Sequence, residues 1–223
     1  AEHFGGYLPV VVDVTDALEF GKENLIAVWA DNSNDPNYPP GKQQEVLDFT
    51  YFGGIYRDCW LIAHNQVFIT DPNYENETAG GGLFVSFDKV SEQSAQLKLD
   101  AHIRNTSGKS FGGKILYELY DRDDKRVLSK EAGLSVSKGL AKQISCKVTV
   151  ETPHLWSPDS PYLYKLHIYI KDKAGNTIDG YYRRIGIRSI EFKGKDGFWL
   201  NGKPYPYPPV SYTHLTLPTN SRV

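Results

Sequence analysis

Along much of this chain apolar and polar residues alternate one for one. In "QLKLDAHIRN" the apolar positions are Leu97, Leu99, Ala101 and Ile103; in "KILYELYD" they are Ile115, Tyr117 and Leu119. In "ISCKVTVE" they are Ile144, Cys146, Val148 and Val150, and in "LYKLHIYIKD" Tyr164, Leu166, Ile168 and Ile170. Successive side chains of a strand point to opposite faces, so this period predicts strands with one buried and one wet face. Three shorter apolar runs, "VVVDV", "NLIAVWA" and "CWLIAH", are bounded by turn residues and also read as strands. In "LDFTYFGGIYRD" a strand would place Leu47, Phe49 and Tyr51 on one face and Asp48, Thr50 and Phe52 on the other. Gly53-Gly54 then lets the chain bend or approach another backbone closely.

The turns carry their own signals. Asp123-Asp124 and Ala174-Gly175-Asn176 sit between alternating segments, where residues tolerant of positive φ are needed. Asp196-Gly197 and Asn201-Gly202 bracket Phe198-Trp199-Leu200, which predicts a tight hairpin. Helical periodicity is nearly absent, so the predicted class is all-β, built as a sandwich. Boundaries are expected near Asp71-Pro72-Asn73, where irregular aromatic and Gly-rich sequence gives way to clean alternation, and near Arg188.

Composition narrows the function. The chain has 223 residues, 40% hydrophobic, enough for one large or two modest domains. Its 25 basic and 27 acidic residues leave a formal net charge of -2, which gives no electrostatic footprint for nucleic acid. No apolar run approaches the length of a membrane span. Cys59 and Cys146 make no disulfide framework and read as two buried or half-buried thiols. Asn76-Glu77-Thr78 and Asn105-Thr106-Ser107 match the glycosylation pattern, which is common by chance. The chain has no methionine and begins in mid-pattern, as a segment of a longer protein would. Its compartment, cytoplasm or periplasm, is left open.

Several stretches, in order, resemble glycoside hydrolase family 2, and within it the β-galactosidases. They are "HFGGYLPVVVDVTDAL", "NLIAVWADN", "DFTYFGGIYRD", "ITDP", "PHLWSPDSPYLYKL" and "RRIGIRSIEF", followed by "FWLNGKP". The resemblance runs from His3 to Pro204 and implies an architecture. Residues 1–72 would be the later part of a jelly-roll-like sugar-binding domain, and 73–187 an immunoglobulin-like β-sandwich. Residues 188–204 would be the hairpin leading into a catalytic (β/α)8 barrel that is itself missing. From residue 205 the sequence "YPYPPVSYTHLTLPTNSRV" departs from the family and reads as a non-native tail.

The resemblance also implies roles. Asp48, ten residues before Asp58, matches the carboxylate that reaches from the first domain to hold a sugar hydroxyl and, in some members, a monovalent cation. Arg57, Asp58 and Arg188 are expected to be structural, pairing where domains meet. Trp156 and Tyr162 are expected to fill a core. Retaining glycosidases use two carboxylates about 5–5.5 Å apart, and the family places both in the barrel. A barrel needs roughly 250 residues, and only 35 follow Arg188 in this chain of 223. No residue here is therefore expected to cleave a glycosidic bond. Sodium and magnesium are the cofactors implied for a full-length enzyme, with none for this segment. A β-galactoside is the implied substrate partner, and an oligomer is compatible with the family. Two other readings are a free-standing carbohydrate-binding or adhesion module, which would show a surface row of exposed aromatics, and the same family acting on β-glucuronides or β-mannosides.

Overall fold

In a computed structural model, residues 1–47, 52–78 and 80–205 are described, and they divide into two compact units. One comprises Ala1–His64 and Thr70–Gly81; the other comprises Asn65–Ile69 and the chain from Gly82 onward.

The second unit holds all the strands among the described residues: β1 (Val67–Ile69), β2 (Leu83–Asp88), β3 (Ser94–Asn105), β4 (Phe111–Tyr120), β5 (Arg126–Val136), β6 (Ala141–Glu151), β7 (Tyr164–Asp172), β8 (Thr177–Ile185), β9 (Ile190–Phe192), β10 (Phe198–Leu200) and β11 (Lys203–Pro204). The fold is all-β. In the first sheet β3 is central. β6 pairs along one edge, from Ser94 with Glu151 to Arg104 with Ala141. β2 and β1 share the other edge end to end. The second sheet runs β5-β4-β7-β8, every pair antiparallel. A third, small sheet, β11-β10-β9, is the hairpin read from the two Asx-Gly pairs. Asn201 and Gly202 turn it at φ of 51° and 73°.

The two large sheets face each other across one apolar core. β3 supplies Ala95, Leu97, Leu99, Ala101 and Ile103; β4 supplies Ile115, Tyr117 and Leu119; β7 supplies Leu166, Ile168 and Ile170. These are the period-two positions of the sequence. Burying each large aliphatic side chain is worth about 1.5–3 kcal/mol, so the inward rows decide which face each strand turns inward. β5 and β8 carry weaker alternation, because most of their residues are solvent-exposed at the sheet edges.

Two buried polar groups in this core differ in kind. Asn105 is fully buried at the end of β3. Its amide nitrogen donates to the carbonyls of Lys109 (2.9 Å) and Val136 (3.1 Å), and its oxygen accepts from the Ser107 amide at 2.9 Å. It thereby fixes the β3–β4 turn to the end of β5, and it is too enclosed to act as a glycosylation acceptor. Tyr117 is also fully buried, but its hydroxyl has no hydrogen-bond partner among the described residues.

The first unit is built differently. It contains two 3-10 turns, Thr15–Ala17 and Gln44–Val46, and the short helix α1 (Pro72–Glu75). Asp71 caps α1, its carboxylate accepting from the amides of Asn73 (2.8 Å) and Tyr74 (3.0 Å). Phe4 and Tyr38 stack at 4.8 Å, and the Tyr56 hydroxyl donates to the Gly6 carbonyl at 3.1 Å. The strands expected at "VVVDV", "NLIAVWA" and "CWLIAH" do not form ladders among the described residues. A strand needs a hydrogen-bonded neighbour and a layer to cover its apolar face, whereas Leu25 is 96% and Trp29 91% exposed. Cys59, expected buried or half-buried, is exposed for the same reason; Cys146 is buried in the sandwich.

The contrast between the two buried polar groups is measurable by chemical denaturation. Asn105→Ala would strand two carbonyls and an amide and is expected to cost about 3 kcal/mol. Tyr117→Phe removes an unpaired hydroxyl and is expected to leave stability unchanged or raise it by about 1 kcal/mol.

Candidate functional site

The residues singled out from the sequence fall in different parts of the molecule. Asp48, the proposed sugar and sodium contact, lies outside the described residues, as does the chain beyond Tyr205. Arg57 and Asp58 are exposed in the first unit. The Arg57 guanidinium stands over the Tyr56 ring, 5.9 Å from its centroid. Arg188 belongs to the second unit, where the chain leaves β8 for the small sheet.

Arg188 is part of a clamp built around Trp156. Its guanidinium lies 5.0 Å from the centre of the Trp156 ring and donates to the Gly186 carbonyl at 3.0 Å. The other side of that contact depends on Gly186 having no side chain: a Cβ there would sit 2.7 Å from Trp156 Cγ. The Trp156 amide donates to the Ile187 carbonyl at 2.8 Å, and the Trp156 carbonyl accepts from the Asn201 side-chain amide at 3.0 Å. Asn201 closes the set: its side-chain oxygen accepts from the Ser189 amide at 3.1 Å, and its own amide donates to the Ser189 carbonyl at 3.0 Å. Trp156 is therefore half-buried and works as a clamp jaw rather than as interior filling. On the small sheet, Lys193 covers the Trp199 ring at 3.6 Å, while Phe192 stays exposed. Chemically this arrangement positions backbone; it holds no group placed for proton transfer.

Candidate acids point the same way. Asp100 is the buried carboxylate of the sandwich, on the outward face of β3. Burial alone would push its carboxyl up, but hydrogen bonds from Lys98 and Ser145 and the nearby Lys98 charge outweigh that and hold it below its ordinary value. The Lys98 ammonium is 2.9 Å away and the Ser145 hydroxyl 2.5 Å. Hydrogen bonds from Thr15, Ser33, Lys114 and Asn176 likewise lower Asp13, Asp31, Glu131 and Asp172. Among the described residues, every carboxyl group displaced from its ordinary value is displaced downward, the opposite of what a general acid requires. No group of three or more His, Cys, Asp or Glu side chains converges among them. The first unit has an open cleft of about 300 Å³, lined by His3, Leu8, Val11, Asn73 and Glu77 among others.

Sequence reasoning found Arg188 but missed its partners. "PHLW", "RIGIR" and "LNGK" each looked like an isolated motif. The signal available was a glycine beside two arginine-flanked isoleucines, and only the fold brings it against Trp156.

Residues 82–188 match the family model described as Glycosyl hydrolases family 2. A β-glucuronidase of Formosa agariphila is 31% identical over 89% of this chain, and a β-galactosidase of Thermoanaerobacter pseudethanolicus is 33% identical over 91% of it. The solved structure of Bacteroides uniformis β-glucuronidase 2, covalently bound to cyclophellitol-6-carboxylate aziridine, superposes with a TM-score of 0.71 at 29% identity, covering 86% of this chain. The chain spans only 20%, 25% and 22% of these three proteins, respectively.

Two outcomes check the geometry. Gly186→Ala drives a methyl group into the Trp156 ring and is expected to destabilise the second unit by about 2 kcal/mol, read as a lowered denaturation midpoint. Asp100 has a folded-state value below its unfolded one, so its contribution is fully present above the ordinary carboxylate value and is lost as pH falls through the depressed one. Asp100→Asn should therefore lower stability at neutral pH and flatten the acid limb of the stability–pH curve; an unchanged acid limb would assign that limb to other carboxylates.

Proposed function

This chain belongs to glycosyl hydrolase family 2 through residues 82–188, and on that premise we propose that it is the non-catalytic front portion of a retaining β-glycosidase acting on β-galactosides. The observation that carries the reading is the sandwich ending in a clamped exit. The Trp156–Gly186–Arg188–Asn201 cluster fixes the direction in which the chain leaves β8. A scaffold that must present a following domain in one orientation needs such a joint. The lowered carboxyl groups are unsuited to serve as the general acid of such an enzyme. Asp48 is the residue proposed to hold a sugar hydroxyl and a sodium ion in the longer protein. Arg57 and Asp58 are proposed to act structurally, as is Arg188. The 33% identity to a β-galactosidase supports the galactoside assignment.

A second reading keeps the scaffold role and changes the sugar to a β-glucuronide. It is favoured by the 31% identity to a β-glucuronidase and by the superposition on another.

Purified chain incubated with p-nitrophenyl β-galactoside and β-glucuronide is expected to release no nitrophenol above the buffer rate; turnover that survives repurification would refute the non-catalytic assignment. The sugar is decided on the longest continuous reading frame containing this chain. There kcat/KM for the galactoside should exceed that for the glucuronide by at least about tenfold. Asp48→Ala should lower it by about 100-fold.

A further inference from the structure

The outer face of the β5-β4-β7-β8 sheet is aromatic at positions where a solvated sheet usually carries polar groups. His167 of β7 lies at the centre. Tyr182 of β8 is its cross-strand partner, with ring centroids 5.0 Å apart. Tyr169, two residues along β7, lies within 20° of parallel to the imidazole at 6.1 Å, its hydroxyl 3.3 Å from Nδ1. Tyr120 of β4 meets the imidazole edge-on at 5.3 Å. Gly180 stands opposite Tyr169, and the ring leans over it: a Cβ at Gly180 would lie 3.6 Å from the ring. Tyr182 is 50% exposed.

Charge is distributed unevenly around these rings. Glu118 is occupied by the Tyr120 hydroxyl at 2.9 Å and by Arg126 at 3.0 Å. Lys165 is held by Asp124 at 2.6 Å. Its cross-strand partner is Arg184, so two cations oppose each other at the edge of the ring cluster. The Arg184 guanidinium is exposed and forms no ion pair with the described residues. Tyr182 and Arg184 share one face of β8 at a spacing of about 7 Å, a distance that a pyranose ring and its C6 carboxylate can span.

We propose that this face binds an acidic oligosaccharide. The C–H face of a uronate ring lies on Tyr182, His167 and Tyr169, and its carboxylate pairs with the Arg184 fork. Aromatic faces supply apolar contact area, and the tyrosine hydroxyls and imidazole supply hydrogen bonds to ring hydroxyls. An arginine recognises a carboxylate through two parallel charge-assisted hydrogen bonds, stronger than those it can give to the hydroxyls of a neutral sugar. Arg184, unlike Lys165, has no carboxylate partner among the described residues, which makes an anionic ligand the complementary one. The inference goes beyond the hydrolase reading, because it needs neither hydrolysis nor a barrel.

The test is a titration of the ¹⁵N-labelled full chain with a tetrasaccharide alternating glucuronate and N-acetylglucosamine, followed by NMR, with β-1,4-galactotetraose as the neutral control. Saturable shifts are expected at His167, Tyr169, Tyr182 and Arg184, with a Kd of about 1 mM. Arg184→Gln is expected to weaken binding about fivefold, since an exposed charge pair contributes modestly. Tyr182→Ala should weaken it about tenfold through lost ring contact. Both variants should keep the parent melting curve; if either fails to fold, the shift map of the unaltered chain decides. Absence of saturable shifts, shifts confined to other surfaces, or equal affinity for the neutral tetrasaccharide would each overturn the proposal. None of these outcomes bears on turnover, so this proposal and the hydrolase reading fail separately.

Discussion

β3 is the strand on which the sandwich depends, because both its edges and both its faces are committed at once. β6 takes one edge along nearly its whole length, while β1 and β2 divide the other. Its inner row from Ala95 to Ile103 is almost completely excluded from solvent. Its outer row carries Asp100, sealed between Lys98 and Ser145. A slip of one residue would exchange Leu97 and Leu99 with Lys98 and Asp100. It would bury a charge without partners as well as expose the apolar row, and the first of these is the harder to accommodate. Register is thus specified twice, by hydrophobicity on one face and by a charge-assisted pair on the other. Asn105 then ties the far end of the strand to β5.

What the sequence revealed follows from how each strand meets solvent. β3, β4, β6 and β7 alternate cleanly, and their inward rows match the residues picked out by period two. β5 and β8 lie at the edges of their sheet, where burial is partial, and their alternation is correspondingly faint in "RVLSKEAGLSV" and "TIDGYYRRI". The turn at Asp124 was legible because φ of 62° there favours Asp, Asn or Gly, and Gly175 at φ 91° is of the same kind. The Trp156 clamp was not legible. It joins residues 30 and 45 positions from Trp156, and no local pattern records that Gly186 is small because an indole lies against it.

The first unit shows the limit of reading strands from apolar runs alone. "VVVDV" and "NLIAVWA" have the composition of strands, yet composition supplies neither a ladder partner nor a covering layer. Most of their side chains are exposed, whereas the inward rows of β3, β4 and β7 are buried. The order present in this unit comes from isolated contacts instead: the local Asp71 cap on α1, and the Phe4–Tyr38 stack and the Tyr56–Gly6 hydrogen bond, which join distant parts of the chain. Each such contact is individually weak. The sandwich, by contrast, gains from the mutual support of many buried neighbours.

Several polar side chains of the second unit are spent on position. The Trp156 clamp acts through backbone carbonyls and amides, whose strength does not change with protonation, so the exit from β8 keeps its direction across a wide pH range. Lys98 and Ser145 hold the Asp100 carboxyl below its ordinary value despite its burial. Beside the aromatic face Arg184 forms no ion pair with the described residues, while the nearby Glu118 and Asp124 are already paired with Arg126 and Lys165. A face of that composition is suited to holding a ligand without reacting with it. Scaffold and the proposed recognition can then share one sandwich without conflict: the core and clamp fix the geometry, and the outer sheet face carries the rings and Arg184.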